Sequence, residues 1–379
     1  MSLGSLAHRL YSGEVSYDFV GKRRRWYAIS GIFLVLALIG LFGRGLNLGI
    51  EFKGGSEFTI PSSTATVQQA RDSAKAAGIE DPIVTQVGQD KIRIQSPALT
   101  PAESEKVTAQ LSKDLGVNQG DIGVTLIGPT WGAEITKHAL QGLAVFLVLV
   151  VIFLSLYFEW RLAVAALVAL VHDLLITIGI YALTGFEVTP ATVIGVLTIL
   201  GFSLYDTVVV FDKVRENTRG ITSGNRMTYS EAANLALNQT LVRSINTSVV
   251  ALLPVAAILV IGVGFLGAGT LKDLALALFV GTLAGTYSSI FIATPVACQL
   301  QEQRPEMKAL AARVEARRNA GEKAKGSAKK TVDADADADD LTAVGSDATL
   351  AALTGTSVTQ TGPRQQPKKN TTRSQRKKS

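Results

Sequence analysis

The chain has 379 residues, of which 47% are hydrophobic and 18% are charged, and its formal net charge is +6. That charged fraction lies below the ~25% usual for soluble proteins, and the apolar residues cluster in runs long enough to cross a bilayer core of ~30 Å as helices. This excludes a soluble globular protein and predicts an integral membrane protein. The positive charge does not indicate nucleic-acid binding, because much of the basic excess lies in the C-terminal tail and beside apolar runs. The single cysteine, Cys298, excludes a disulfide within the chain.

The first apolar run follows a basic N-terminal segment, residues 1–25. A first transmembrane helix is predicted at residues 26–42, directly after Lys22, Arg23, Arg24 and Arg25. A cleaved signal peptide is the alternative, but the apolar run is long for one and no Ala-x-Ala site follows it. We therefore expect a retained membrane anchor.

The segment that follows, residues 43–138, is expected to lie outside the cell membrane and to carry a small domain at residues 54–128. Its pattern reads as strand, helix, two strands joined by a hairpin turn, helix and strand. The second helix opens with the capping box Thr100-Pro101-Ala102-Glu103. The order βαββαβ predicts an α+β ferredoxin-like extracytoplasmic domain, for binding or for transmitting force.

The next part of the chain, residues 139–299, predicts five further transmembrane helices, which makes an α-helical polytopic membrane protein with six spans. The five are expected at residues 139–158, 162–184, 189–211, 247–266 and 271–299. A cytoplasmic amphipathic helix is predicted at about residues 228–244, before the fifth span. Residues 300–379 are predicted to form a cytoplasmic tail that is largely disordered, with a helix at residues 304–318.

The orientation follows from Lys and Arg in the short loops, which concentrate on the cytoplasmic side. The basic residues that fall on one predicted side are Lys22–Arg25, Arg161, Lys213, Arg215, Arg219, Arg226 and Arg243. The turns on the opposite side carry no Lys or Arg, apart from Lys272 at the start of the sixth span. A multi-pass protein of the cell membrane with both termini in the cytoplasm is therefore expected.

Two carboxylates fall inside predicted spans. Asp206 lies in the span at residues 189–211 and Asp173 in the span at residues 162–184. An ionised carboxylate at that depth costs roughly 2.5–3.5 kcal/mol on translocon-insertion scales, and such residues usually serve function. Arg243 is the nearest candidate cation by sequence. Two interpretations stay open for the pair, a static buried salt bridge and a titrating pair in a proton path.

Polar residues that follow Arg243 are candidates for lining such a path: Asn246, Thr247 and Ser248. His172 is expected to be structural, because neighbouring helical residues are ~100° apart and it should not pair with Asp173. Small residues recur every fourth position in the sixth span, which predicts close helix packing within the chain or with a partner. They are Ala277, Gly281, Gly285 and Ser289.

No sequence motif indicates a cofactor, a metal or an enzymatic reaction. A phosphate-binding Gly-x4-Gly-Lys-Ser/Thr pattern is absent from the sequence, and so is a zinc-ligand or nucleophile constellation. We expect a protein that is not an enzyme and binds no cofactor, and whose energy comes from an ion gradient or from a partner.

Three segments carry a resemblance to a known family. Residues 46–55 read Leu-Asn-Leu-Gly-Ile-Glu-Phe-Lys-Gly-Gly, residues 201–217 begin Gly-Phe-Ser-Leu-Tyr-Asp-Thr, and residues 237–248 read Leu-Asn-Gln-Thr-Leu-Val-Arg-Ser-Ile-Asn-Thr-Ser. These motifs, in this order, resemble the SecF family of membrane subunits from the bacterial protein-export complex SecDF. Glu51 stands where the family usually has Asp, which is a conservative departure.

The resemblance implies a fold, a function and partners. It implies an RND-type half of six helices that forms a heterodimer with a similar half from SecD. It implies that the proton-motive force drives preproteins through the SecYEG channel, with YajC and a membrane insertase as further expected partners. The family's proton-relay Asp and Arg map onto Asp206 and Arg243, and Asp173 is the third candidate for the relay.

Two other function classes remain as alternatives. One is an RND-type exporter subunit for small molecules or lipids. The external domain is small for such an exporter, which makes this alternative less favoured. The other is a gradient-independent scaffold for membrane insertion, which predicts that Asp206 tolerates replacement by Asn. The sequence does not show whether the coupling ion is H⁺ or Na⁺, and it does not show which client proteins are exported.

Overall fold

The structure, a computed structural model, describes residues 16–61, 65–88, 90–265 and 271–336. In this part of the chain six helices are long and apolar enough to cross a membrane. They are Arg23–Gly43, Pro129–Tyr157, Trp160–Thr184, Pro190–Ser223, Tyr229–Gly262 and Lys272–Glu302. Each overlaps one predicted span, so the prediction of six membrane-length helices is confirmed.

The described elements follow one another in this order. The helices are α1 (Arg23–Gly43), α2 (Ile50–Lys53), α3 (Val67–Ala76), α4 (Pro101–Leu115), α5 (Pro129–Tyr157), α6 (Trp160–Thr184), α7 (Pro190–Thr218), α8 (Tyr229–Ala257), α9 (Lys272–Ser288), α10 (Thr294–Glu302) and α11 (Pro305–Ala336). The strands are β1 (Asn47–Leu48), β2 (Gly55–Pro61), β3 (Ile83–Val87), β4 (Lys91–Ser96), β5 (Gly123–Ile127) and β6 (Glu187–Val188). A π-helical segment, Ile258–Phe265, follows α8, and a second one, Ser289–Ala293, joins α9 to α10.

Between α1 and α5 lies a small sheet with two helices. Its four strands are antiparallel in the order β3-β4-β2-β5, and α3 and α4 come after β2 and β4 in the chain. Alternate residues of β2 and β4 are buried, so Phe58 and Ile94 pack with Leu111 of α4 in a fully buried core. Thr100 and Glu103 form the predicted capping box, and Gly116 ends α4 in the left-handed conformation.

A tight glycine contact joins this sheet to the helices. Gly54 has a φ of +77°, and a Cβ placed there would lie 2.9 Å from the Cα of Pro129. A Cβ on Gly132 would lie 2.7 Å from the backbone oxygen of Phe52. Only glycine allows this approach, because any side chain would push the start of α5 away from α2. The two-residue strands β1 and β6 pair in parallel nearby, with Asn47 opposite Glu187.

The helix α7 packs closely against α9. A Cβ on Gly281 would lie 2.3 Å from Ile199 Cδ1, and one on Gly285 would lie 2.8 Å from Ser203 Cβ. Gly195 makes the same kind of approach to Ala277. The small-residue stripe of the sixth span is thus used within the chain, whereas the sequence leaves a contact with a partner equally open.

The region before the fifth span differs from the prediction. The amphipathic helix expected at about residues 228–244 and the span expected at residues 247–266 belong to one uninterrupted helix, α8. Its start at the Thr228–Glu231 capping box agrees with the prediction. No Gly or Pro lies between the two predicted pieces, so nothing breaks the helical hydrogen bonds; Pro254 lies further on, before the π-helical segment.

The chain divides into two units, Met1–Arg318 and Asn319–Ser379. The helix predicted at residues 304–318 is present in α11, which continues to Ala336. Residues 319–336 belong to the second unit and are helical. The rest of the tail predicted to be disordered, residues 337–379, lies outside the described residues.

Candidate functional site: a buried network of carboxylates and hydroxyls

The two membrane carboxylates lie in one network between α6, α7 and the end of α9. Asp173 Oδ2 accepts hydrogen bonds from Ser203 Oγ at 2.5 Å and from Ser288 Oγ at 2.7 Å. Asp206 Oδ2 accepts one from Ser289 Oγ at 2.5 Å. Asp173 is 1% exposed and Asp206 is 5% exposed, so both carboxylates are removed from the surface of the chain.

Local helix geometry explains how the serines reach the carboxylates. Ser203 precedes Asp206 by three residues, so both lie on one side of α7. Ser288 ends α9 and Ser289 opens the π-helical segment, so the two adjacent hydroxyls reach carboxylates on different helices. The missing side chain of Gly285 lets α9 come close to Ser203. The small-residue stripe therefore positions the network as well as packing the helices.

His172 also joins this network, contrary to the sequence-based expectation that it would not pair with Asp173. Its Nδ1 lies 3.2 Å from Asp173 Oδ1, and its ring stacks on that of Tyr287. Side-chain flexibility brings the two groups together although their backbone positions are about 100° apart. The other ring nitrogen, Nε2, is buried and has no hydrogen-bond partner among the described residues.

Of the three residues predicted to line a path, only Ser248 belongs to the network. Thr286 Oγ1 donates to Ser248 Oγ at 2.8 Å, and Ser289 Oγ also lies 3.1 Å from the Thr286 carbonyl oxygen. Thr247 instead donates to a backbone oxygen of its own helix at 2.8 Å, and Asn246 is exposed. Hydroxyl groups thus link α8 to Asp206 through α9.

The structure does not bring Arg243 to Asp206 as an ion pair. In the described part of the chain no carboxylate lies within 4.0 Å of the Arg243 guanidinium, and the residue is exposed. Counted from the loop between α7 and α8, Asp206 lies about 18 Å along α7 and Arg243 about 21 Å along α8, at 1.5 Å per residue. The two residues are therefore at similar depth, with Arg243 on the outer surface of the helices.

The charge balance decides what the network can do. Among the described residues neither Asp173 nor Asp206 has a Lys or Arg within salt-bridge distance, and His172 is the one basic group in contact with Asp173. Hydroxyl donors stabilise a carboxylate, but they carry no charge to neutralise it. Intramembrane carboxylates of this kind are costly to keep and usually mark a functional site.

A second polar cluster, which the sequence does not predict, lies at the edge of the small sheet. Arg93 of β4 contacts Glu57 of β2 at 3.3 Å and Glu187 of β6 at 3.0 Å, and Gln95 donates to Glu187 at 2.7 Å. Burial, with the nearby carboxylates of Glu187 and Glu57, raises the pKa of Glu51. This cluster connects the sheet to the strand that leads into α7. Alternation on β4 hinted that Arg93 and Gln95 share a face, but the distant partner could not be found from sequence.

Among the described residues no group of three or more His, Cys, Asp or Glu side chains is placed to hold a metal ion. Six membrane-length helices around buried carboxylates define the chain as a polytopic membrane protein with an ionisable interior, a class in which ion-coupled transporters are found.

Comparison with known proteins identifies the family. The family described as "Protein export membrane protein SecD/SecF, C-terminal" matches residues 107–303, and the "SecD/SecF GG Motif" matches residues 39–66. A protein translocase subunit SecF from Streptomyces coelicolor is 54% identical over 89% of this chain and 91% of its own length. The SecF subunit from Mycobacterium tuberculosis is 44% identical over 84% of this chain and 74% of its own. The chain therefore belongs to the SecF family of protein translocase subunits.

The same relationship holds in three dimensions. The crystal structure of SecDF from Thermus thermophilus, described as a translocon-associated membrane protein, superposes with a TM-score of 0.68 at 30% identity. The superposition covers 76% of this chain and 39% of the SecDF chain. This chain thus corresponds to about two-fifths of that longer protein.

Proposed function

We propose that the chain uses the proton-motive force, together with SecD, to drive the export of preproteins through the SecYEG channel. The observation that carries this proposal is the pair of carboxylates, Asp173 and Asp206, buried between helices with hydroxyl partners and, among the described residues, no Lys or Arg in contact. A permanent charge in this setting is unfavourable. A proton that binds at one stage and leaves at another supplies a reason to keep both acids.

The energy available from the membrane is sufficient for a conformational step. One elementary charge that crosses the membrane yields about 2.3 kcal/mol per 100 mV. Protonation of Asp206 would weaken the hydrogen bond that it accepts from Ser289, and α7 and α9 could then shift relative to each other. The proposal assigns ion transfer and movement to the chain, not an enzymatic reaction or a cofactor.

Arg243 supports SecD as the partner. Arg243 is exposed on a membrane-length helix, and an arginine that faces lipid is unfavourable, so a protein surface is expected to cover it. On the same side of α8, two turns further on, the apolar side chain of Val250 is 67% exposed. A related protein from Thermus thermophilus is named SecDF, and this chain matches 41% of it. We infer that a SecD half covers Arg243, and that the relay between Arg243 and Asp206 closes in that assembly.

The small sheet and the ends of the chain complete the proposal. The strand order β3-β4-β2-β5 with a helix after β2 and after β4 supports a ferredoxin-like domain. The distribution of Lys and Arg supports its position outside the membrane, with both termini in the cytoplasm. There it could hold the emerging preprotein, while YajC and a membrane insertase would join the assembly in the membrane.

The test compares Asp206→Asn with Asp212→Asn in inverted vesicles that contain SecYEG, SecD and this chain. Asp212 lies on the same helix and hydrogen bonds to Tyr157 at 3.2 Å, so it controls for loss of an acid near the membrane. We expect Asp206→Asn to lose the gradient-dependent part of preprotein translocation, while abundance and SecD binding stay normal and Asp212→Asn stays active.

Two further outcomes are informative. Full gradient-dependent translocation by Asp206→Asn would exclude the proton path and support the gradient-independent scaffold. Collapse of the proton gradient and of the sodium gradient with separate ionophores identifies the coupling ion. If translocation is lost when the sodium gradient is collapsed but not when the proton gradient is collapsed, proton coupling is contradicted.

A further inference from the structure

An apolar groove of about 580 Å³ runs between α1, α6 and the α10 end of the sixth span. Its walls include Leu34 of α1, Val168 and Leu175 of α6, and Val296 of α10. Polar side chains are confined to a few positions, with Tyr27 and Gln299 at one end. The groove is separate from the interface of α7 and α9 that holds Asp206.

The groove has the depth of one leaflet. Along α6 it extends from Val164, one turn after the start of the helix, to Leu175 beyond its middle. Eleven residues at 1.5 Å each give about 16 Å. Half of a bilayer core of ~30 Å is about the same length. A groove of this depth fits one acyl chain that enters from the membrane surface.

The open end of the groove lies beside a basic cluster, Lys22–Arg25 at the start of α1. Arg23 is bound to Glu302 at 2.9 Å, and Lys22 lies over the ring of Tyr17 at 4.4 Å. Arg24 and Arg25 are exposed, and in the described part of the chain their side chains have no ion-pair or hydrogen-bond partner. Arg24 thus lies about one helical turn before Tyr27, where the groove begins, and Arg25 adds a second positive charge at the same end of α1.

We propose that this groove binds an anionic phospholipid, with one acyl chain along α1 and α6, the headgroup phosphate on Arg24, and Arg25 adding to the positive potential at that end of α1. The apolar walls match a hydrocarbon chain and exclude a polar ligand. The two arginines match an anionic headgroup and give it an advantage over a zwitterionic one. Because lipid binding is measured directly, the proposal does not depend on proton coupling.

The inner end of the groove connects the lipid to the carboxylate network. His172 contributes to the groove wall, and its Nδ1 lies 3.2 Å from Asp173 Oδ1. The end of the acyl chain would therefore rest against a residue that contacts Asp173. Occupancy of the groove would hold His172 in place and limit access of water to it.

Gly31 offers a direct way to fill the groove. It is part of the wall, and a Cβ placed there meets no atom within 4 Å. Gly142 on α5 is equally open, and it lies away from the groove, so it provides a matched control. Val168, on the opposite wall and 43% exposed, provides a second blocking position.

The experiment uses the full chain in mild detergent, with native mass spectrometry during titration with phosphatidylglycerol or phosphatidylcholine of the same acyl chains. We expect one phosphatidylglycerol per chain, bound at lower concentration than phosphatidylcholine. Gly31→Trp and Val168→Trp should abolish that first adduct, and Gly142→Trp should leave it intact. Replacement of both Arg24 and Arg25 by Ser should weaken the binding of phosphatidylglycerol about 10–30-fold. The affinity for phosphatidylcholine should stay unchanged.

Three results would overturn the proposal. One is a first adduct that persists in both tryptophan variants at wild-type abundance. Another is an equal affinity for the two lipids in the wild-type chain. The third is adduct formation only after removal of residues 2–15, because this would show that the N-terminal segment of the chain itself fills the groove.

Discussion

Two regions of the molecule stabilise buried carboxylates in different ways. One is the polar cluster at the edge of the sheet, and the other is the network inside the membrane helices. Both bury carboxylates, but Glu57 and Glu187 have a guanidinium between them, whereas Asp173 and Asp206 have hydroxyl groups. The first arrangement places one permanent cation between two carboxylates and so holds two parts of the fold together. The second provides hydrogen bonds but, among the described residues, no Lys or Arg, and the proposed proton transfer rests on this difference.

The comparison also shows how the two clusters connect. Glu187 lies in β6, and α7 begins three residues later at Pro190. The same helix carries Ser203 and Asp206. A fixed contact to the sheet therefore holds one end of the helix whose middle carries Asp206, so movement of α7 would be transmitted to the sheet through Arg93.

The largest expected effect concerns the cation that the membrane network lacks. Arg243→Ala should lower gradient-dependent translocation by more than about tenfold, because in the proposed assembly it removes the cation that pairs with Asp206. Arg243→Lys keeps the charge without the planar fork and should retain part of the activity. Arg226→Ala, an exposed residue in the loop before α8, is the control, and reconstituted vesicles provide the assay. Equal activity of the Ala and Lys variants, near wild type, would show that the pairing is irrelevant.

The next effect concerns the close packing that positions the serines. Gly281→Leu places side-chain atoms where Ile199 already lies, and we expect a loss of about 1–3 kcal/mol in stability. Gly142→Leu, on an open face of α5, should change stability little. Thermal unfolding in detergent measures both. A Gly281→Leu protein with unchanged melting temperature would mean that α7 and α9 are further apart than described.

The contact at the sheet should give a smaller effect. Arg93→Gln leaves two carboxylates without their cation, and we expect a loss of about 2 kcal/mol because these groups are roughly one-fifth exposed. Addition of Glu187→Gln to this variant should recover part of the loss. A denaturant titration of all four members of the double-mutant cycle measures the coupling. Strict additivity would show that Arg93 and Glu187 do not interact in solution.

Glu51→Gln should have the smallest effect on stability, and it should stabilise the protein where the preceding variants destabilise it. Burial raises the pKa of Glu51 from its ordinary value of 4.5, so the folded protein holds a proton that the unfolded chain has released. This contribution favours folding below the ordinary pKa and is lost as the pH rises through the raised pKa. At pH 7 the variant should therefore be slightly more stable than wild type, and its stability should depend less on pH above 4.5. Melting temperatures between about pH 4 and pH 8 test this, and a less stable variant at pH 7 would contradict it.

The sequence predicts the membrane part well where local rules apply. Apolar runs locate all six helices, and the isolated acids in those runs single out Asp173 and Asp206 from the amino-acid order alone. Capping boxes locate the starts of α4 and α8 to the residue. These features depend on neighbouring residues, and the sequence contains them directly.

What the sequence could not provide is the register between helices. Ser203 lies only three residues before Asp206, but Ser288 and Ser289 are more than 80 residues away from it, and only packing decides which carboxylate each reaches. Proximity in sequence suggests Asp206 as the partner of Arg243 within the chain, where the structure does not place it. The pattern also divides the continuous helix α8 in two, because its first half is polar enough to suggest an interfacial helix.

The π-helical segment between α9 and α10 has a consequence for mutation by insertion and deletion. A π-turn accommodates one residue more than an α-helical turn, and such turns are frequent at functional sites. Loss of one codon within Ser289–Ala293 could therefore be absorbed as a regular helix without breaking the span. Because the surplus residue is removed from the wider turn itself, the helix beyond it would keep its orientation relative to Ser288. The same deletion one turn earlier, in the regular part of α9, would rotate the residues that follow by about 100°. Tolerance of a one-residue deletion should therefore be confined to this short segment of the span.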